Sequence, residues 1–264
     1  MTHKVVLITG GSSGIGKAAA EALRDAGCTV YEGSRRDSEQ SGIAHLTLDV
    51  TDEASAGRAV EEILRREGRL DILVNCAGSG ISGAVEFTEA DAVKRQMDVN
   101  FMGTVNMTKA VLAPMRVAGQ GRIVNISSVA AEFPIPFQTY YSASKAAVNA
   151  FSMALANEVR PFGITVTAVQ PGDIRTGFTA ARAKSSVGDD VYGGRISRSV
   201  ARMEHDEENG MDPAAAGRMI AKIALRSRVK PVCTLGFSYR CLGFLRKILP
   251  CGPVNRLIGE LYAK

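Results

Sequence analysis

Val5-Val6-Leu7-Ile8 is a run of four apolar residues without alternation, and a glycine-rich turn follows at once, Thr9-Gly10-Gly11-Ser12-Ser13-Gly14-Ile15-Gly16. A strand that is apolar on both faces must be covered on both, the usual condition of a parallel sheet flanked by helices. The helical run that continues to Ala26 begins the crossover such a sheet needs. A glycine turn between strand and helix also lets backbone approach a pyrophosphate at the positive end of the helix. The spacing is Gly-x-x-x-Gly-x-Gly rather than Gly-x-Gly-x-x-Gly, and a plain tight turn would use the same residues.

The alternation of strand and helix persists. Strands are expected at Cys28–Gly33, 44–48, Asp71–Val74, Arg122–Ile126, Gly163–Gln170 and, last and short, Pro231–Leu235. Thr51 or Asp52 caps a helix reaching about Glu67. One continuous helix is expected from Ala90 to Val117 with Asn100 in its middle, another from Thr139 to Arg160, and another from Pro213 to Ala224. Residues 177–212 read as an irregular, mobile lid, with glycines at 188, 193, 194 and 210. No repeat or linker divides the chain, so 1–264 is expected to be one α/β domain built of parallel βαβ units. In such sheets ligand groups gather at the carboxyl ends of the strands. The glycine turn, Asp49-Val50, Asn75-Cys76-Ala77-Gly78, Ser128 and Pro171-Gly172-Asp173-Ile174-Arg175-Thr176 all fall there.

The second strand ends at Ser34-Arg35-Arg36. An acidic residue near that point binds a ribose 2′-hydroxyl, whereas an arginine accommodates a 2′-phosphate. Ser34 and Arg35 therefore favour NADP(H) over NAD(H). Glu32 is a dissenting carboxylate, and Arg35 and Arg36 also suit a solvated loop.

Tyr141 and Lys145 stand four residues apart on a helix, on one face, with Ser128 thirteen residues earlier. A tyrosine with a pKa near 10 is a poor acid–base group at neutral pH, and a neighbouring ammonium favours its phenolate. Reaching the useful range near pH 7 needs roughly 4 kcal/mol of differential stabilisation, shared between Lys145, a cationic cofactor ring and hydrogen bonds. The same pentapeptide also suits an amphipathic surface helix.

Composition removes several function classes. No run of about 18 uninterrupted apolar residues predicts a membrane span, and the strand near the N-terminus leaves no leader pattern. Five scattered cysteines without Cys-x-x-Cys spacing predict reduced thiols in a cytoplasmic protein. His3, His45 and His205 form no metal-ligand pattern with them, and no metal is expected. The net charge is +5, yet residues 217–264 carry ten Lys/Arg and one acid, so the first 216 residues are net negative. No aromatic-interleaved basic motif accompanies that tail, and nucleic acid is not expected as a partner.

Taken together and in order, Thr9–Gly16, Asp49, Asn75-Cys76-Ala77-Gly78, Asn100, Ser128, Tyr141/Lys145 and Pro171-Gly172 resemble the short-chain dehydrogenase/reductase family over roughly residues 3–235. Cys76 departs from the family's frequent second Asn, and Tyr140 duplicates the tyrosine one place early. The resemblance implies a seven-stranded parallel Rossmann sheet with helices on both faces. It implies Tyr141 as general acid/base, Lys145 on the nicotinamide ribose, Ser128 on the substrate oxygen, and Asn100 holding a relay water. Gly10, Ser12, Ser13, Gly14, Ile15, Gly16, Arg35, Asp49, Val50, Asn75, Ala77, Gly78, Pro171, Gly172, Ile174 and Thr176 would line the cofactor, with Asp49 at the adenine. Ser127 and Tyr140 would be bystanders. A homo-oligomer, dimer or tetramer, through the helices bearing Asn100 and Tyr141 is also implied.

Phe133-Pro134-Ile135-Pro136-Phe137 is apolar and stiff; with Ile81, Phe178 and Tyr192 it could wall a pocket for a steroid, retinoid or lipid-like ketone. The same residues would also suit core packing or an interface. From about 238 to 264 apolar residues recur at helical spacing among Arg240, Arg246, Lys247 and Arg256. This extension resembles the tails of reductases related to the hydroxysteroid and acyl-dihydroxyacetone-phosphate reductases. A basic amphipathic helix can lie on an anionic membrane, cap the domain, or cover a dimer interface. A dinucleotide-binding regulator without turnover, or a lyase or epimerase on the same scaffold, are the competing functions; a regulator could dispense with the intact Ser128, Tyr141 and Lys145 set.

Overall fold

The computed structural model describes residues 3–264. In chain order the elements are β1 (Val5–Thr9), α1 (Gly14–Asp25), β2 (Thr29–Ser34), β3 (Ile43–Thr47), α2 (Glu53–Glu67), β4 (Ile72–Asn75), β5 (Ile81–Ser82), α3 (Ala90–Met97), α4 (Gly103–Val117), β6 (Gly121–Ile126), α5 (Thr139–Glu158), β7 (Ile164–Gln170), α6 (Phe178–Ala181), β8 (Ala183–Lys184), α7 (Arg195–Glu208), α8 (Pro213–Leu225), β9 (Val232–Thr234), α9 (Phe237–Ile248) and α10 (Cys251–Tyr262). Seven strands form one sheet in the order β3-β2-β1-β4-β6-β7-β9, and every adjacent pair is parallel. This is the doubly wound Rossmann arrangement expected from the run of βαβ units.

The unbroken apolar run of β1 is used on both faces. Val6 and Ile8 join the core beneath α1 and α8, while Val5 and Leu7 join the core beneath α2, α4 and α5. All four are essentially inaccessible to water, and each such burial contributes about 1.5–3 kcal/mol. On the first face α1 and α8 cross closely. A Cβ on Gly217 would lie 2.4 Å from the backbone of Ala18, so only glycine permits the approach. Asp52 caps α2 by accepting from the Ala54 N–H, settling the choice between Thr51 and Asp52.

Two expectations change. The helix expected to be continuous from Ala90 to Val117 is interrupted at Asp98–Met102 by one wide π-helical turn, with Asn100 at its centre. The polar side chain of Asn100 turns inward and binds across to Ser79 and Ser144, which accounts for the widening. The segment expected to be an irregular lid is largely ordered. β8 pairs with β5, and α7 occupies residues 195–208. The Asp189 carboxylate accepts from Ile196 N and Ser197 N at the start of α7. Only Ile196, Ser199 and Met203 of α7 are buried, which leaves a weak apolar stripe for sequence to display.

The basic extension forms α9 and α10, as its spacing predicts. Among the described residues no helix is long and apolar enough to cross a membrane, and no group of His, Cys, Asp or Glu is placed to hold a metal ion.

Candidate active site

The carboxyl ends of β1, β4, β6 and β7 open into a cavity of about 390 Å³. Its floor is the glycine turn. Gly10 and Gly14 have φ of 66° and 54°, the left-handed region that glycine enters without strain. A Cβ on Gly16 would stand 2.2 Å from the Gly10 carbonyl oxygen, so the turn closes only as written. No side chain caps α1 and its first turn holds no acid, which leaves the helix N-terminal N–H groups free beside the cavity. Thr9 Oγ1 accepts from Cys76 N and Ala77 N, both at 3.1 Å, tying the turn after β4 to the end of β1.

The opposite wall carries the titratable set. Ser128 follows β6, and Tyr141 and Lys145 lie on the first turns of α5; all three line the cavity. Lys145 Nζ lies 5.7 Å from the Tyr141 ring centroid and donates to the Ile126 carbonyl at 2.9 Å. Desolvation lowers the Lys145 pKa to about 8. The same effect pushes Tyr141 up to about 12, against a smaller lowering by the Ser128 hydroxyl and by Arg182. In the protein alone burial outweighs the lowering contributions, and the phenol lies above its ordinary range. A neutral phenol at pH 7 is poised to donate a proton.

Asn100 makes three hydrogen bonds within the protein. Its Oδ1 accepts from Ser79 N at 2.8 Å, and its amide donates to Ser79 O and Ser144 Oγ, each at 3.0 Å. The side chain ties the loop after Gly78 to α5. Ser127 donates to the Lys145 carbonyl at 2.8 Å, and Tyr140 donates to the Val85 carbonyl at 3.2 Å. Tyr140 does not border the cavity, whereas Ser127 does.

Of the residues expected around a dinucleotide, Gly10, Ser13, Gly14, Ile15, Gly16, Ala77, Gly78, Pro171, Gly172, Ile174 and Thr176 border this cavity, while Ser12, Arg35, Asp49, Val50 and Asn75 do not. Asn75 is buried in the sheet and donates to Asn125 Oδ1 at 2.9 Å, a structural bond between β4 and β6. Asp49 accepts from Thr51 N and Thr51 Oγ1, which with nearby Arg35 holds its pKa down. Arg35 is exposed at the end of β2, and Val50 is packed inside. Glu32 is fully buried and bonded to His45 Nδ1 across the β2–β3 pair.

Several cavity residues escaped the sequence reading: Gln138, Asp173 as a side chain, Met203, Glu207 and Tyr262. Tyr262 comes from the last turn of α10 and donates to Asp206 Oδ2 at 2.9 Å. Tyr239 of α9 donates to the Asp173 carboxylate, and its ring fills the space above Gly172, where a Cβ would lie 2.0 Å away. Glu207 accepts from Thr179 Oγ1 at 2.6 Å and pairs with the buried Arg182. Of the apolar loop, Ile135 reaches the cavity, whereas Phe137 packs edge-on against Tyr192 in a separate cluster. Phe178 joins Tyr141 at 5.7 Å between ring centroids. Cys76 also borders the cavity, where burial pushes its thiol up to about 11, so it is no thiolate nucleophile.

The glycine cradle, the free helix terminus and the Ser128–Tyr141–Lys145 wall fit a nicotinamide dinucleotide. When bound, that cofactor supplies the hydride; the protein positions it and handles the proton.

Comparison with known proteins agrees. The model of the short chain dehydrogenase family matches residues 4–186. A 3-ketodihydrosphingosine reductase from Bacteroides thetaiotaomicron is 47% identical over 229 residues, covering 86% of this chain and 85% of that protein. The crystal structure of a short-chain dehydrogenase from Streptomyces avermitilis superposes with a TM-score of 0.83 at 32% identity, covering 94% of each chain. Two further solved structures carry different cofactors. ElxO has NADP bound (TM-score 0.75, 27% identity, 91% of this chain and 100% of that one). The 3-ketoacyl-(acyl-carrier-protein) reductase of Brucella melitensis is complexed with NADH (TM-score 0.74, 25% identity, 88% and 96%). With its sheet, its cavity and these likenesses, the chain belongs to the short-chain dehydrogenase/reductase family, oxidoreductases that interconvert CH–OH and C=O with NAD(P)(H).

Proposed function

We propose that this chain is an NADPH-dependent reductase of a long-chain amino ketone, of the 3-ketodihydrosphingosine kind. The observation that carries this reading is the make-up of the cavity around Tyr141. Apolar Ile135, Phe178 and Met203 share it with the carboxylates of Asp173 and Glu207. Ketone, ammonium and aliphatic chain occur together in a sphingoid ketone, and each has a matching wall. Asp173 and Glu207 already bond Tyr239, Thr179 and Arg182; an ammonium would add a cation to that acidic pair, a contact that a steroid or retinoid has no group to make. The 47% identity to a reductase of that name supports the same choice.

In the proposed reduction Tyr141 donates its phenolic proton to the substrate oxygen while Ser128 orients that oxygen. Lys145 stabilises the phenolate left behind, and Asn100 keeps α5 and the Ser79 loop in register. For the cofactor, Arg35 is exposed at the end of β2, and one oxygen of the dissenting Glu32 is bonded to His45 while the other is buried; the exposed arginine supports NADPH over NADH. The remaining catalytic and cofactor assignments from sequence are part of the same proposal. So is a homo-oligomer through α4 and α5, supported by the exposed Met102 and Met153.

The test is NADPH oxidation with three ketones: a long-chain 2-amino-3-ketone, the same chain without the amine, and a decalone or steroid. NADH and Tyr141→Phe run alongside. Fast turnover of the amino ketone, lost in Tyr141→Phe while NADPH still binds, is expected. Equal or better turnover of the steroid would refute the substrate class. Tight NADPH binding with no turnover of any ketone would favour a regulator.

A further inference from the structure

The extension does two things on opposite faces. Ile258, Tyr239 and Tyr262 point inward, one buried against the domain and two bonded to Asp173 and Asp206 beside the cavity. That inward face accounts for the capping role. It leaves another face without a partner. Among the described residues, half of the exposed large apolar side chains fall between Phe237 and Leu261. Phe244, Leu245 and Ile248 of α9 follow one another at helical spacing, as do Leu257 and Leu261 of α10, and the exposure of Phe244 and Ile248 reaches 66% and 65%. Exposure of that degree on five large side chains is not what a water-facing helix shows.

Charge identifies the occupant. From residue 237 onward the chain has five basic residues and one acid, Glu260. Arg240 and Arg256 are exposed among the apolar side chains. A second copy of this face would bring like charges together, whereas an anionic lipid surface accepts both the apolar side chains and the arginines. We propose that the outward face of α9 and α10 seats this protein on an anionic lipid bilayer. Helix α10 walls the cavity through Tyr262 and α9 holds its Asp173 through Tyr239, so a water-insoluble ketone would pass from the bilayer towards Tyr141 without crossing bulk water. That last consequence rests on the lipid-ketone reading; the docking itself does not.

Flotation of the purified full chain with vesicles tests it without reference to turnover. The vesicles are phosphatidylcholine alone, or phosphatidylcholine with 30% phosphatidylglycerol. Binding is expected on the anionic vesicles only, reversed by 0.5 M NaCl. Arg240→Gln with Arg256→Gln should weaken it roughly 30-fold, about fivefold per charge. Phe244→Ser with Ile248→Ser should abolish it while leaving NADPH binding and reduction of a soluble short-chain ketone unchanged. Failure to float, or equal flotation on neutral vesicles, overturns the proposal. So does a concentration-dependent dimer in sedimentation velocity that Phe244→Ser/Ile248→Ser dissolves, since a second copy would then cover the face.

Discussion

Burial shifts Tyr141 and Lys145 in opposite directions, raising the tyrosine and lowering the lysine. Their four-residue spacing made the pair legible in sequence, as did Ser128 at the end of a strand. The sign of the tyrosine shift was not legible, because desolvation depends on what folds over the ring, and Phe178 arrives from a distant segment. The physical result suits the reductive direction: the phenol holds its proton at pH 7 and has one to give. Lys145 is the member of the site whose shift brings it within the range of an activity assay. Its pKa is lowered to about 8, so it is an ammonium below that pH and becomes neutral as pH rises through it. Ketone reduction should therefore fall off above pH 8 along a single-ionisation limb. In Lys145→Arg, whose side chain stays charged, that limb should vanish from the residual activity. Removing the proton donor with Tyr141→Phe should lower kcat by about 10²–10⁴-fold with little change in NADPH affinity. Asp173→Asn offers a sharper test of substrate. If the carboxylate meets an ammonium, KM should rise about tenfold for the amino ketone and stay level for its amine-free counterpart.

At the scale of elements, the alternation of apolar strands and amphipathic helices was enough to place all seven strands of the main sheet to within a residue or two. What periodicity missed are two features that arise from tertiary contacts. The π-turn at Asp98–Met102 depends on Ser79 and Ser144, which no local pattern reveals. Helix α7 buries too few apolar residues to announce itself. Close packing between elements gives a paired prediction. Gly217→Ala, with its methyl 2.4 Å from the Ala18 backbone, should destabilise by about 1–3 kcal/mol. Gly57→Ala, in α2 where nothing lies within 4 Å, should instead stabilise by about 0.5–1 kcal/mol through helix propensity. Urea denaturation of both variants measures the difference.

Across the whole molecule, the first 235 residues build the cofactor side and the last 29 finish the substrate side. The extension's helices were readable from their spacing; their return over the cavity was not, because Tyr239 and Tyr262 carry no local mark of the carboxylates they meet. Removing α10 by ending the chain after Leu249 should spare NADPH binding and raise KM for the lipid ketone by tenfold or more, since Tyr262 and the Asp206 contact go with it. Isothermal titration with NADPH beside steady-state kinetics separates the two effects.

The ring of Tyr239 lying over the bare backbone of Gly172 has a consequence for how such an enzyme can change. Any side chain at position 172 needs a smaller residue at 239, and a smaller residue at 239 leaves Asp173 without its hydroxyl partner. The three positions can therefore drift only in concert. A mutagenesis library that varies the extension while holding 172 and 173 fixed would explore a single solution, whereas randomising all three together opens the route by which a descendant of this enzyme could acquire a different substrate.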